Sequence, residues 1–236
     1  MATMRKHGGA TIMAIMSDQF SFRIFEPDEE FLVVERKLPH WAQPGTIAFI
    51  TFRTYDSMPA HVIRQWLSER TDWLHGHGVD AAASNWKEQF KQLSVNLRKE
   101  FHRRFSQRWH EELDSCHGQC VLGQTEFAQV VAASLEHFDG DRYELTNYIV
   151  MPNHVHLLAA FPDPPAMLDQ CESWKHFTAT RINRQLNRKG RFWQHDGFDH
   201  LVRSVEQFEY LREYIARNPI KARLQHSEYR HKSKVL

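Results

Sequence analysis

The pattern of apolar and polar residues predicts clear secondary-structure elements from residue 46 onward. The run 46–55 is rich in β-branched and aromatic residues and is bounded by turn-forming residues, which is typical of a central strand. A helix is expected next, over about 59–74, where apolar residues recur at helical spacing. Residues 1–36 show no sustained period, so we interpret them as an N-terminal arm with a short strand at 31–34.

The region of about 77–120 predicts a helical insertion. Its large apolar residues recur at steps of three and four, as on one stripe of a long amphipathic helix: Trp86, Phe90, Leu93, Leu97, Phe101, Phe105, Trp109 and Leu113. The opposite face is basic, with seven Lys or Arg against two Glu between residues 86 and 109. Such a face fits either contact with nucleic acid or a solvated packing arm.

Strands and helices alternate through the rest of the chain. We expect a helix at about 126–138, strands at 143–150 and 154–161 around a turn at 151–153, a helix at about 165–187, an extended piece at 198–202 and a helix at 205–218. This order predicts an α+β fold, a ferredoxin-like split βαβ sandwich whose helices cover one face of an antiparallel sheet and leave the other free. One domain over 37–236, carrying the insertion, is therefore expected after the arm.

Composition excludes several classes of protein. Among the 236 residues, 42% are hydrophobic and 25% are charged, which are ordinary globular values and not those of a disordered or fibrous chain. No apolar run approaches the roughly eighteen residues that a membrane span needs, so we expect no membrane partner. An odd number of cysteines without a signal peptide favours a reducing cytoplasm. Cys116, His117 and Cys120 supply at most three zinc ligands, and a turn around Gly118 is the favoured interpretation.

The net charge of +1 conceals an uneven distribution along the chain. Residues 171–236 hold 14 Lys or Arg against 7 Asp or Glu, and the first 170 residues hold 16 against 22. Aromatic residues are interleaved with these C-terminal cations: Trp174, Phe177, Phe192, Trp193 and Phe198. Cations bind phosphates and rings accept unstacked bases, so this third of the chain fits a nucleic-acid surface, although a solvated helix face and core aromatics fit equally well.

Two pairs of polar residues carry the candidate chemistry. His154 and His156 are two positions apart on a predicted strand and therefore project from the same face. Two imidazoles on an apolar strand require a metal, a phosphate or another hydrogen-bonding partner. Tyr214 and Asn218 are four positions apart on a predicted helix and also share a face. The structural alternatives are partly exposed histidines, a core aromatic at 214 and an Asn218 cap before Pro219.

A set of motifs in a fixed order resembles the REP-associated tyrosine transposases, which belong to the HUH single-tyrosine DNA transposases. The motifs are LPHW at 38–41, TFR at 51–53, MPNHVHL at 151–157, KHFTA at 175–179, FWQ at 192–194, FDHLVR at 198–203 and YIARNPIKA at 214–222. The resemblance spans about 37–224, and the ordered set is far more specific than any one motif.

The resemblance implies an enzyme that nicks and rejoins single-stranded DNA through a 5′-phosphotyrosine. Carried onto this sequence, it makes Tyr214 the nucleophile and makes His154, His156 and Asn218 the ligands of a divalent cation, Mg²⁺ or Mn²⁺. The implied partner is single-stranded or hairpin DNA of the REP type, repeated between bacterial genes, and the protein is expected to act as a monomer or a homodimer. From the basic C-terminal third we expect DNA contacts from Lys175, Arg181, Arg184, Arg188 and Arg203.

Two other functions compete with this interpretation. A non-covalent metal-dependent phosphoesterase also uses an H-x-H pair, but a third alternating histidine is missing because position 158 is leucine, and no aspartate-rich cluster lies nearby. A transposase descendant retained only for DNA binding would not need Tyr214, His154, His156 and Asn218, all of which are present. A tyrosine variant would separate the three hypotheses.

Overall fold

The computed structural model describes residues 23–26, 29, 32–35, 39–107, 112, 116–195 and 197–234. The described residues divide into two units, one formed by those up to 55 together with those from 120 onward, and the other by 56–119. The predicted arm, 1–36, therefore lies largely outside the described residues. The predicted insertion, about 77–120, overlaps the second unit.

Five antiparallel strands form the sheet that organises the first unit. The strands of the chain are β1 (Leu32–Glu35), β2 (Pro39–Ala42), β3 (Ile47–Arg53), β4 (Glu144–Met151), β5 (His154–Ala160), β6 (Phe198–Leu201) and β7 (Arg230–Ser233). β1 and β2 pair with each other, and the large sheet has the order β6-β3-β5-β4-β7. Across the sheet, β6, β3, β5 and β4 are thus the fourth, first, third and second strands of a ferredoxin-like unit, which confirms the predicted fold class.

Two helices cover one face of this sheet and close the main core. They are α4 (Thr125–Glu136) and α5 (Pro164–Gln185). Alternate residues of β3 and β5 meet their apolar sides: Ala48, Ile50, Phe52, Val155, Leu157 and Ala159 from the strands, with Phe127, Val131, Leu135, Trp174 and Ile182 from the helices. The Trp174 indole donates to the Tyr143 hydroxyl at 3.3 Å, which in turn donates to the Leu135 carbonyl. Burial of each large side chain stabilises the fold by about 1.5–3 kcal/mol.

The opposite face of the sheet is not free, so that part of the prediction is wrong. Helix α6 (Val205–Lys221) buries Phe208, Leu211 and Ile215 and packs against β4 and β5. An amphipathic helix has to bury its apolar stripe, and the second face of the sheet is the surface available to it. As a result α6 lies over the face of β5 that carries the two histidines.

The second unit begins with α1 (Ala60–Gly76), which confirms the helix predicted over about 59–74. In place of the one long helix predicted over 86–113, the described residues form two short helices, α2 (Trp86–Gln92) and α3 (Val95–Phe101), followed by a π-helical turn, His102–Gln107. Leu93 is extended, and the Ser94 hydroxyl accepts from the Leu97 amide at 3.3 Å, so a new helix begins there. The predicted stripe does form a core, in which it surrounds Trp73 and Leu74, while Trp109 and Leu113 lie outside the described residues.

No described helix is long and apolar enough to cross a membrane.

Candidate metal and tyrosine site

Antiparallel register places the two histidines opposite the end of β3. His156 pairs with Thr51 and His154 pairs with Arg53, so these side chains alternate with the core residues and share the α6 face. His154 and His156 are 0% and 2% exposed, and their ring centroids are 4.6 Å apart. The predicted pairing of the two imidazoles on one face is what the structure contains, and their depth excludes the interpretation that they are partly exposed.

Each imidazole is oriented through its Nδ1 atom. His154 Nδ1 is 2.7 Å from Asn153 Oδ1, and because an amide oxygen only accepts, Nδ1 carries the proton and Nε2 keeps its lone pair. His156 Nδ1 is 2.7 Å from Thr51 Oγ1. When Nδ1 donates to this hydroxyl, the Nε2 atom of His156 also keeps its lone pair. Such partners behind an imidazole are the usual way in which a metal-binding tautomer is fixed.

Asn218 on α6 completes the group from the other side. Its side chain is 1% exposed. Neither its Oδ1 nor its Nδ2, nor the Nε2 of His154 or His156, has a hydrogen-bond partner in the described part of the chain. A buried polar atom left unpaired costs about 1–3 kcal/mol, so a cluster of four needs a ligand to explain it.

The orphaned atoms fit a divalent cation. Two imidazole nitrogens and an amide oxygen are accepted by Mn²⁺, and by Mg²⁺ when water fills the remaining positions. Elsewhere in the described residues no three His, Cys, Asp or Glu come together as metal ligands. The residues predicted from the resemblance therefore lie together with their ligand atoms unpaired.

Burial keeps both histidines in the neutral form that binds metal. It lowers the pKa of His154 well below its ordinary value, and the positive charge of Arg53 lowers it further, as protonation of His156 would, while Asn218 opposes these effects. The pKa of His156 is lowered by burial and then by Arg53. Asn218 thus lies near His154, although no hydrogen bond of standard geometry joins them.

Tyr214 is placed beside this cluster by the same helix. It lies one turn before Asn218 and is half-buried, with its ring centroid 5.3 Å from that of His156 and 6.2 Å from that of Phe49. Lys221 Nζ is 5.1 Å from the centroid of the ring. Asn218 is not a cap, because α6 continues through Pro219 to Lys221, beyond the predicted end at 218.

Sequence reasoning missed the residues that orient the cluster. Thr51, which orients His156, appeared only in a motif, as did Arg53, whose charge lowers both pKa values, and Asn153, which orients His154, appeared only in a motif and a turn. The available signal was the alternation of residues 49, 51 and 53 on a strand, which puts them on one face. Lys221 could have been found at two helical turns from Tyr214.

The five predicted DNA-binding residues divide into two groups. Lys175 and Arg188 have partners within the protein: Lys175 Nζ, 11% exposed, donates to the His195 carbonyl at 2.8 Å, and Arg188 Nε donates to Asn183 Oδ1 at 2.7 Å. The other three are exposed: Arg181, Arg184 and Arg203. All five remain predictions.

The aromatic residues proposed to accept bases include both buried and exposed side chains. Trp174 and Trp193 are 1% and 4% exposed and belong to the core, as one of the two interpretations expected. Phe177 is 49% exposed, with Arg181 Cζ 5.8 Å from its centroid. The side chain of Phe198 lies outside what the structure describes. Among the members whose side chains the structure describes, Phe177 is thus exposed enough for stacking.

The lowered histidine pKa values predict a protein that loses stability in acid. In addition to the site pair, burial lowers the pKa of His200 and of His231. Unfolded histidines bind protons below about pH 6.5 while these folded ones stay neutral, so stability is full above that pH and falls as the pH decreases. Denaturant unfolding with a metal chelator, at pH 7.5 and 5.5, should give a lower free energy at 5.5, by up to about 1.4 kcal/mol per pH unit for each proton taken up. Equal free energies of unfolding at the two pH values would contradict the expectation. The variant His231→Gln should show a smaller change of this free energy with pH.

Part of the chain is similar to known proteins. Residues 123–218, which contain all four predicted site residues, match the model of the family described as "Transposase IS200 like". No curated protein matches the chain. A solved structure described as "Structure of the REP associates tyrosine transposase bound to a REP hairpin" matches with 13% identity and a TM-score of 0.39, over 79% of this chain and 74% of that one.

The segment that matches the family model carries both the buried histidine pair of β5 and the tyrosine of α6. Over the matched segment, residues 123–218, the chain is similar to the IS200-like transposases. The resemblance drawn from the motifs is confirmed by this match.

Proposed function

We propose that this protein nicks and rejoins single-stranded DNA through a covalent bond to Tyr214. The observation that carries the proposal is the cluster of buried, unpaired atoms on His154, His156 and Asn218, one helical turn from a half-buried tyrosine. Neither a purely structural role nor DNA binding alone accounts for these atoms. The test is whether a labelled oligonucleotide becomes attached to the protein, on a denaturing gel, in a reaction that a metal chelator stops.

The proposed reaction conserves the energy of the phosphodiester bond. Tyr214 Oη attacks the phosphorus, the Oη–P bond forms and the P–O3′ bond breaks, leaving a 5′-phosphotyrosine and a free 3′-hydroxyl. The phenol proton passes to solvent and the departing 3′ oxygen takes up a proton. Attack by a 3′-hydroxyl reverses the step, so rejoining requires no nucleotide cofactor.

The chain supplies the orientation and part of the charge for this attack. A phenol titrates near pH 10 and is a weak nucleophile at neutral pH unless a positive field favours the phenolate. Lys221, 5.1 Å from the ring of Tyr214, provides such a field. His154, His156 and Asn218 would hold Mg²⁺ or Mn²⁺, which when bound polarises a non-bridging phosphate oxygen. Thr51 and Asn153 keep the imidazoles in position.

The proposed substrate is a hairpin with a short single-stranded tag. The motif resemblance supports the hairpin, and physical reasoning supports the unpaired tag, because duplex DNA has to give up stacking and pairing before its backbone can bend into the site. A tag paired with a complementary strand should therefore be cleaved roughly 100-fold more slowly than the same tag left single-stranded. Equal rates, measured on hairpins taken from DNA flanking the gene, would refute this substrate.

We also propose that the exposed arginines of α5 contribute to DNA affinity. Arg181→Gln/Arg184→Gln should lower the slope of log affinity against log salt by about 0.7 for each phosphate that the variant no longer neutralises. The control is Arg142→Gln/Lys232→Gln, since Arg142 lies over Phe138 and Lys232 pairs with Glu136. An unchanged slope in the α5 variant would direct attention to the exposed cations of α2, α3 and the π-helical turn: Lys87, Lys91, Lys99, Arg103 and Arg104.

Each competing function predicts a different outcome of the attachment test. A non-covalent phosphoesterase would release cleaved DNA with no protein attached. A DNA-binding descendant would neither cleave nor become attached.

A further inference from the structure

Tyr55 presents an exposed aromatic ring from a rigid piece of backbone at the end of β3. The residue is 59% exposed. Its amide donates to the Phe192 carbonyl at 2.7 Å, and the preceding Thr54 amide donates to the Asn153 carbonyl at 2.8 Å. A large exposed ring whose backbone is fixed by two such bonds loses little freedom when it contacts another molecule.

Arg191 lies over this ring. Its Cζ atom is 5.5 Å from the ring centroid, within cation–π range. Arg191 is exposed, and no carboxylate among the described residues pairs with it. The next two residues, Phe192 and Trp193, are 1% and 4% exposed, so the core fixes the backbone from which the arginine extends.

The Tyr55–Arg191 pair lies next to the candidate site. Arg53, two residues before Tyr55, is opposite His154 in the sheet, and two residues of strand span about 7 Å. Asn153, whose carbonyl accepts from Thr54, also holds the His154 ring through its side chain. The backbone that leads to Tyr55 is therefore bonded to the residue that orients one metal ligand.

We propose that Tyr55 and Arg191 form a stacking subsite for one unpaired nucleotide of the DNA strand that enters the site. The base stacks on the Tyr55 ring, and the Arg191 guanidinium binds an adjacent phosphate. Aromatic faces accept any base, so the subsite selects unpaired over paired nucleotides rather than a sequence. The proposal rests on the function proposed above. It adds a place where the strand is bound at a nucleotide other than the one whose phosphate Tyr214 attacks.

The test is made in a Tyr214→Phe background, so that binding is measured without cleavage. A tag oligonucleotide carrying a fluorescent base analogue should be quenched on binding, because its base stacks on the ring. Tyr55→Ala should lose the quenching and weaken binding by about 5- to 150-fold, and Tyr55→Trp should restore both. Arg191→Gln should lower the salt slope by about 0.7. Both bonds that anchor Tyr55 use backbone atoms, so thermal melting should confirm that the alanine variant is folded.

A matched control is Tyr210→Ala, since Tyr210 is 66% exposed and lies on α6. It should bind and quench as the parent does. Wild-type affinity and quenching in Tyr55→Ala would overturn the proposal, and so would an equal loss in Tyr210→Ala. Covalent attachment by the wild-type chain is measured in parallel: its absence defeats the proposed function, whereas its presence with an unaffected Tyr55→Ala defeats the subsite alone.

Discussion

Tyr214→Phe will bind hairpin DNA as the wild type does and will form no covalent adduct. The substitution removes only the phenolic oxygen and leaves the ring beside His156 and Phe49. Because the nucleophile itself is lost, the rate of attachment should fall by several orders of magnitude. A denaturing gel with end-labelled oligonucleotide gives attachment, and a native binding titration gives affinity.

The matched control for this variant is Tyr210→Phe on the same helix. Tyr210 is 66% exposed, more accessible to a DNA backbone than Tyr214, so an unselective tyrosine reaction would favour it. Its variant should attach DNA at the wild-type rate. An adduct that persists in Tyr214→Phe would remove Tyr214 from the mechanism.

His154→Ala and His156→Ala will each abolish cleavage and metal-induced stabilisation, with a smaller effect on DNA binding. Each removes one of the unpaired buried nitrogens and leaves too few protein ligands for the cation. Saturating Mn²⁺ should stabilise the wild type, by about 2.7 kcal/mol at a hundred times the dissociation constant, and should not stabilise either variant. Thermal melting with and without the metal measures this.

Loss of a ligand has to be separated from loss of the fold. Asn218→Leu replaces two unpaired polar atoms with apolar ones of similar size, so the metal-free protein should be as stable as the wild type or more stable. Stabilisation by metal should nevertheless be weakened or lost. His231→Ala, which changes a histidine of the same sheet outside the cluster, should keep both cleavage and the metal effect. An Asn218→Leu protein that responds to Mn²⁺ as the wild type does would exclude Asn218 as a ligand.

Periodicity predicted the two halves of the candidate site. A strand turns every second side chain to the same face, so His154 and His156 had to lie together once β5 was recognised. A helix does the same for Tyr214 and Asn218. The resemblance, rather than the periodicity, brought the two halves into one site, because the packing of α6 over β5 joins segments that are distant in the sequence.

The predictions that were wrong or incomplete depend, in the same way, on tertiary packing that the sequence pattern does not show. An apolar stripe shows that a helix has a buried side but not which face of a sheet receives it, so α6 was not expected on the histidine face. The stripe of the insertion continues unchanged across Leu93 and Ser94, where the chain leaves one helix and begins another. Thr51 orients His156 across 105 positions of sequence, and such register is set by tertiary packing.

Mapping the attached nucleotide onto the chain tests the central claim most directly. After reaction with a tagged hairpin and exhaustive nuclease digestion, trypsin should release the peptide Glu213-Tyr214-Ile215-Ala216-Arg217 between two arginine cleavage sites. Mass spectrometry is expected to find this peptide carrying a nucleotide through a phosphate on Tyr214. A nucleotide found on any other residue, or an unmodified peptide from a protein that has cleaved its substrate, would contradict the account.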